Sequence, residues 1–225
     1  MARERAGMIA QNSDSRRRFI AQNTVLSATP FVPEIRLHLA SDSTELWEKT
    51  ESELGEIGLP PPFWAFAWAG GQALARYILD NPGIVRGKRI LDFASGSGLV
   101  AVAAMQAGAS HVTACEIDAF AVDAIGLNAD ANDAVVNAQM GDFVDRDDGW
   151  DVVLAGDVSY ERDMTERVTR WLHSLHARGA QVLIGDPGRT YLARGKLESL
   201  AEYDVPVIRD LEDADTKKTL IWRFR

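Results

Sequence analysis

From residue 88 onward the sequence alternates short apolar runs with longer stretches rich in small residues. The runs KRILDF (88–93), HVTACEID (111–118), VVNAQMGD (135–142), WDVVLAGD (150–157) and AQVLIGD (180–186) read as strands. GLVAVAAMQAGA (98–109), AFAVDAIGLNADAND (119–133) and MTERVTRWLHSLHARG (164–179) between them read as helices. Such alternation predicts a parallel sheet joined by crossover helices. Continuous apolar strands fit burial on both faces. VPVIRD (205–210) and TLIWRFR (219–225) have no long helix between them, so they are expected to pair antiparallel at one edge. The fold class is α/β, with seven strands.

The segment before this unit reads as an N-terminal extension, residues 1–60, followed by the main domain, 61–225. Residues 1–20 carry basic clusters at Arg3/Arg5 and Arg16–Arg18 without the apolar stretch of a signal peptide, and read as a frayed or helical leader. PEIRLHLA (33–40) suits a short strand and TELWEKTESELGEIG (44–58) a helix, which Pro60-Pro61-Pro62 stops. PFWAFAWAGGQALARYILDNPG (62–83) gives an aromatic cluster, then a helix ending at Asn81-Pro82-Gly83.

A net charge of −9 argues against a general nucleic-acid partner, which needs a basic footprint. No apolar run reaches the ~18 residues that span a bilayer. A single cysteine, Cys115, excludes an internal disulfide and reads as a small buried hydrophobe. No Cys/His grouping suggests a metal. His111, His173 and His176 are dispersed or on a helix and read as structural or exposed. A reducing interior is the expected location: the cytoplasm for a bacterial-type protein, the mitochondrial matrix for a eukaryotic one.

In open α/β sheets the ligand lies beyond the carboxyl ends of the strands. Here each of the first five ends in an acid: Asp92, Glu116, Asp142, Asp157 and Asp186. Ala94-Ser95-Gly96-Ser97-Gly98 follows the first, and Gly96, Gly98 and Ala101 fit the loose dinucleotide fingerprint. A pyrophosphate, however, would be repelled by Asp92 and Asp157. S-adenosylmethionine (AdoMet) has no phosphate; its sulfonium, ammonium and ribose diol all suit carboxylates. Glu116 lies eighteen residues beyond Gly98, about the spacing at which an acid meets ribose hydroxyls in this fold. The expected cofactor is AdoMet. Asp92, Ala94, Ser95, Gly96, Gly98, Glu116 and Asp142 line its site, with their neighbours Ile117 and Phe143 and with Gly156 at the next strand end. Seven strands with an antiparallel finish are also the class I methyltransferase (Rossmann-like) architecture.

PFWAFAWAGGQALARYILDNP, LDFASGSG, GDVSY and IGDPGR together resemble the electron-transfer flavoprotein β-subunit lysine methyltransferases, within the seven-strand protein-lysine methyltransferases. The resemblance runs from about PEIRLHLA to IGDPGR. It implies AdoMet-dependent protein-lysine N-methylation, with the electron-transfer flavoprotein β subunit as protein substrate. The family's Asp-x-x-Tyr motif falls on Asp157-Val158-Ser159-Tyr160, which passes the catalytic roles to Asp157 and Tyr160. The aromatic entry segment nominates Trp68 over the cofactor. Ala94-Ser95 stand where Gly-Ser is common, a change tolerated where the backbone has negative φ.

Aromatic faces attract methylammonium groups, so Trp64, Phe66 and Trp68 suit a lysine substrate. They could equally form a hydrophobic lid, as Asp157 could cap a turn. Asp186-Pro187-Gly188-Arg189 is turn chemistry placed at a strand end, hence a candidate substrate-side loop. Competing functions are methylation of other proteins, such as ribosomal protein lysines, or of a small amine; a nicotinamide-dependent oxidoreductase, which the acidic rim disfavours; and an AdoMet-binding module without turnover.

Overall fold

The computed structural model describes residues 12–40, 61–209 and 214–225. The helix expected over 44–58 and the first eleven residues lie outside the described residues. Chain order runs α1 (Ser13–Asn23), β1 (Val25–Ala28), β2 (Arg36–Leu39), α2 (Ala69–Asp80), β3 (Arg89–Phe93), α3 (Leu99–Gln106) and β4 (His111–Glu116). It continues with α4 (Ala119–Asp130), β5 (Asn137–Met140), β6 (Val152–Gly156), α5 (Arg162–Ala177), β7 (Gln181–Asp186), β8 (Leu197–Pro206) and β9 (Thr216–Phe224).

Seven strands form one sheet in the order β5-β4-β3-β6-β7-β9-β8. The β3, β4, β5, β6 and β7 pairings are parallel, and β9 runs antiparallel between β7 and β8. Strand order reverses at β3, where Phe93 aligns with Cys115 of β4 and Ala155 of β6. The strand ends therefore open onto a common edge at the switch point, where such sheets take their ligands.

Strand residues alternate between two cores, as a period of two requires. Ile90, Val152, Leu154 and Leu183 pack with α2 and α3. Leu91, Phe93, Val153 and Ile184 pack with Val168, Trp171, Leu172 and Leu175 of α5. The residues before the sheet dock onto it: Ile35 and Leu37 are fully buried in the first core. Asp123 of α4 accepts from Ser13 and Arg16 of α1.

One strand differs from its expected position. The run 205–210 is mostly not strand; β8 begins at Leu197 and pairs with β9 along its length, with an irregularity between Ser199 and Ala201. It is an edge strand with one face in water, so its charges alternate with half-buried positions. The ion pairs Arg223–Glu198 (2.6 Å) and Lys218–Glu202 (2.5 Å) join it to β9. At such exposure they add little stability, but they offset the charge of a strand that composition disguises. β1, which pairs antiparallel with β2 in a separate two-stranded sheet, has no counterpart among the strands expected from the sequence.

Candidate active site

The turn after β3 is built on two carboxylates. Asp92 is buried; its Oδ2 accepts from the Ser95 hydroxyl and from the Ala101 N–H at 3.0 Å. Burial, and secondarily the charge of Glu116, pushes its carboxyl up to about 7. Glu116 is half-buried at the end of β4, with Oε1 accepting from Gly96 N–H (2.8 Å) and Oε2 from Ile117 N–H (3.0 Å). Burial raises its carboxyl above the ordinary range, while those two backbone donors oppose the shift.

Gly98 caps α3 at φ +82°, and a Cβ there would meet Ile125 Cα at 3.3 Å. Gly96 at φ +55° would place a Cβ with nothing within 4 Å. Ala94 departs from expectation: its φ is +51°, in the left-handed region, so alanine carries a strain of about 1 kcal/mol there that glycine would lack.

These contacts discriminate between cofactors. A dinucleotide's pyrophosphate would need free backbone donors at the glycine turn and helix start. The Gly96 and Ala101 N–H groups are instead committed to Glu116 and Asp92. Each Glu116 oxygen carries a second lone-pair site, enough for a ribose diol. Ile117 beside it is 73% exposed, an apolar surface suited to a purine face. The residues present fit AdoMet.

Other members of the expected set sit differently. Asp142 is exposed; its Oδ1 accepts from Val144 N–H, and Arg167 at 2.6 Å holds its carboxyl below the ordinary range. The Phe143 side chain lies in the second core near Trp150, leaving only its backbone to meet a cofactor. Gly156 serves packing, since a Cβ there would meet Gly71 Cα and N at 3.0 Å.

Across the switch point, the start of α2 presses onto the ends of β6 and β7. A Cβ on Gly70 would fall 2.2 Å from Gly185 O and 2.5 Å from Asp157 Oδ2. Asp157, at φ +56°, thus reaches the first turn of α2, and Gly71 N–H donates to its Oδ2 at 3.1 Å. It caps this preceding helix rather than the turn that follows it. Oδ1 accepts from Arg189 Nη2 at 3.0 Å. Burial pushes the Asp157 carboxyl up to about 6, against the downward pull of the Arg189 charge. Asp186 is buried, with Oδ1 accepting from Gly188 and Arg189 N–H at 2.7 Å each.

Aromatic groups gather on the side of Arg189, the partner of Asp157. Trp68 donates from Nε1 to Phe63 O at 2.9 Å, and its ring meets Phe63 edge-on with centroids 5.8 Å apart. Phe63 in turn lies 6.2 Å from the Tyr160 ring, and Arg189 sits 5.9 Å from the Trp68 centroid. Tyr160 is 56% exposed. An open cavity of about 340 Å³ continues from Tyr160 along Pro187, Gly188 and Arg189. Phe66 backs Trp68 from the core, edge-on with centroids 6.1 Å apart, whereas Trp64 points away from this group. Both are buried, and Trp64 stacks on Phe120 at 6.2 Å in the core under α1.

The chain is 37% identical to the electron transfer flavoprotein beta subunit lysine methyltransferase of Xenopus laevis, over 92% of its own length and 86% of that protein's. The human enzyme of the same name is 34% identical over 92% and 81%. The chain belongs to this lysine methyltransferase family. Residues 73–159 also match the model of the ribosomal protein L11 methyltransferase family (PrmA). Among solved structures, the ribosomal protein L11 methylase of Lactobacillus delbrueckii subsp. bulgaricus superposes with a TM-score of 0.51 at 19% identity, over 71% of this chain and 81% of that one. That likeness concerns the fold alone. The enzyme is an AdoMet-dependent methyltransferase of the class I fold.

For this lysine methyltransferase, the sequence reading missed Phe63, the pairing of Arg189 with Asp157 and the contact of Gly70 with Gly185. The doublet Gly70-Gly71 opening a helix was the available signal, because glycine there disfavours the helix unless something approaches closely. On the cofactor side, Glu116→Ala is expected to weaken S-adenosylhomocysteine binding by about 1–3 kcal/mol, the scale of a lost charged hydrogen bond. Calorimetry checks this, and an unchanged affinity would remove Glu116 from the site.

Proposed function

We propose that this enzyme methylates lysine side chains of the electron-transfer flavoprotein β subunit. The observation that carries the lysine reading is the Asp157 carboxylate, only 12% exposed and joined through Arg189 to the face of Trp68. The substrate follows the relatives, which carry that protein in their names and match across most of the chain.

AdoMet, when bound, supplies a methyl group on a sulfonium whose sulfur leaves as a neutral thioether. Glu116 and the open face of Gly96 would hold it, with Ile117 alongside. The chain itself contributes orientation and electrostatics. Asp157 accepts a hydrogen bond from the lysine amine and aims its lone pair. Phe63, Trp68 and Tyr160 wall the side chain, and their faces favour a cationic methylated product. The lysine proton leaves to water, since an adjacent cation and partial desolvation both lower an ammonium pKa.

Incubation with methyl-labelled AdoMet and purified electron-transfer flavoprotein, followed by mass spectrometry of the β subunit, tests the reading. Labelled lysine in that subunit is expected. Label appearing in ribosomal protein L11 or a free amine, and none in the flavoprotein, would overturn it.

A further inference from the structure

Arg189 holds both groups that a lysine head would seek: its guanidinium contacts Asp157 Oδ1 at 3.0 Å and lies 5.9 Å from the Trp68 ring. The side chains of Arg189 and Asp157 are only 22% and 12% exposed, so the pair is largely out of water. Its loop is fixed by the two backbone bonds to Asp186 Oδ1, with Gly188 at φ +89° making the turn. Among the described residues, the charges acting most strongly on Asp157 are Arg189, which lowers its carboxyl, and Asp186 at the end of β7, which raises it; α2 adds the Gly71 N–H.

A methyl acceptor must offer a lone pair, which an ammonium lacks. A lone buried carboxylate beside an entering lysine favours the ammonium and so works against transfer. A carboxylate already neutralised by a guanidinium still has lone pairs to accept from an amine, but holds its proton far less strongly. We propose that Arg189 is a positioning residue whose permanent charge cancels that of Asp157, so that the carboxylate aims the lysine amine without keeping a proton on it. Arginine suits the task because it stays charged at any working pH.

The proton count makes this explicit. With Arg189 present, Asp157 is ionised, the amine is neutral and the lysine proton has gone to water. Without Arg189, carboxylate and amine retain one proton between them. On the carboxylate it removes an acceptor site, and on the amine it removes the nucleophile. The inference rests on lysine being the methyl acceptor, but its first test does not need the substrate.

Carbon-detected NMR titration of the Asp157 carboxyl in the full-length enzyme is the direct measurement, comparing wild type with Arg189→Met and Arg189→Lys. The midpoint is expected to rise by about 1–3 pH units in Arg189→Met, the range for loss of an adjacent opposite charge, and to return towards wild type in Arg189→Lys. In methylation assays at saturating AdoMet, the acid limb of kcat against pH should move up in parallel, lowering kcat at pH 7 by about twofold for a one-unit rise and about a hundredfold for three. Thermal melts identify any variant that fails to fold, and Arg189→Lys then carries the comparison. An unmoved carboxyl midpoint overturns the inference, as does a kcat–pH profile merely scaled down. A wild-type enzyme inactive on the flavoprotein overturns the substrate reading alone, because the titration is read without it.

Discussion

Asp157→Asn is expected to lower kcat by about 10²–10³-fold at saturating AdoMet, a loss typical of removing one preorganised polar group from a reacting centre. Asparagine is the informative replacement because it keeps the shape and tolerates the left-handed φ of +56°. It cannot keep the hydrogen-bond pattern. Oδ1 accepts from Arg189 and Oδ2 from Gly71 N–H, so an amide must turn its NH₂ towards one of these donors. Some stability, about 1–3 kcal/mol, should therefore be lost together with the rate. Steady-state kinetics on a variant shown by circular dichroism to be folded separates the two effects. Wild-type kcat in that variant would remove Asp157 from the reaction.

Gly70→Ala should be strongly destabilising. Its Cβ would lie 2.2 Å from Gly185 O and 2.8 Å from Asp157 N, both backbone atoms that cannot turn aside. The start of α2 must lift from β6 and β7, at a cost of about 3 kcal/mol, the upper end of ordinary overpacking. Methylation should fall too, since the same shift withdraws Gly71 N–H from Asp157. Gly71→Ala is the matched control, because its Cβ meets only Val100 Cγ2, at 4.0 Å. Urea unfolding of the two variants should place Gly70→Ala well below the control. Equal midpoints would contradict the close approach.

The legible part of this fold was its repeating grammar. Apolar strands ending in acids located Asp92, Glu116 and Asp157, because strand ends are fixed by a period that tertiary contacts do not disturb. The edge strand β8 was less visible, since Glu198, Glu202 and Asp204 are answered by cations on β9 that no local window contains. The aromatic run 63–68 misled for a related reason. Its residues divide between the core and the site, with Trp64, Ala65 and Phe66 buried while Phe63 and Trp68 flank them on the side of Arg189. The Arg189–Asp157 pair spans 32 residues and two elements, and composition cannot announce such a meeting. Even the sign of φ at Ala94 was hidden, because only the three-dimensional turn requires it.

The insertion of β9 between β7 and β8 sets a timetable for biosynthesis. The cofactor half, β3 to β5 with their helices, comes from one contiguous stretch. The flank that carries Asp186 and Arg189 lacks its neighbouring strand until residues 216–224 exist, for Asp186 aligns with Leu220 of β9. The strand that completes the lysine-facing flank is thus the last one made.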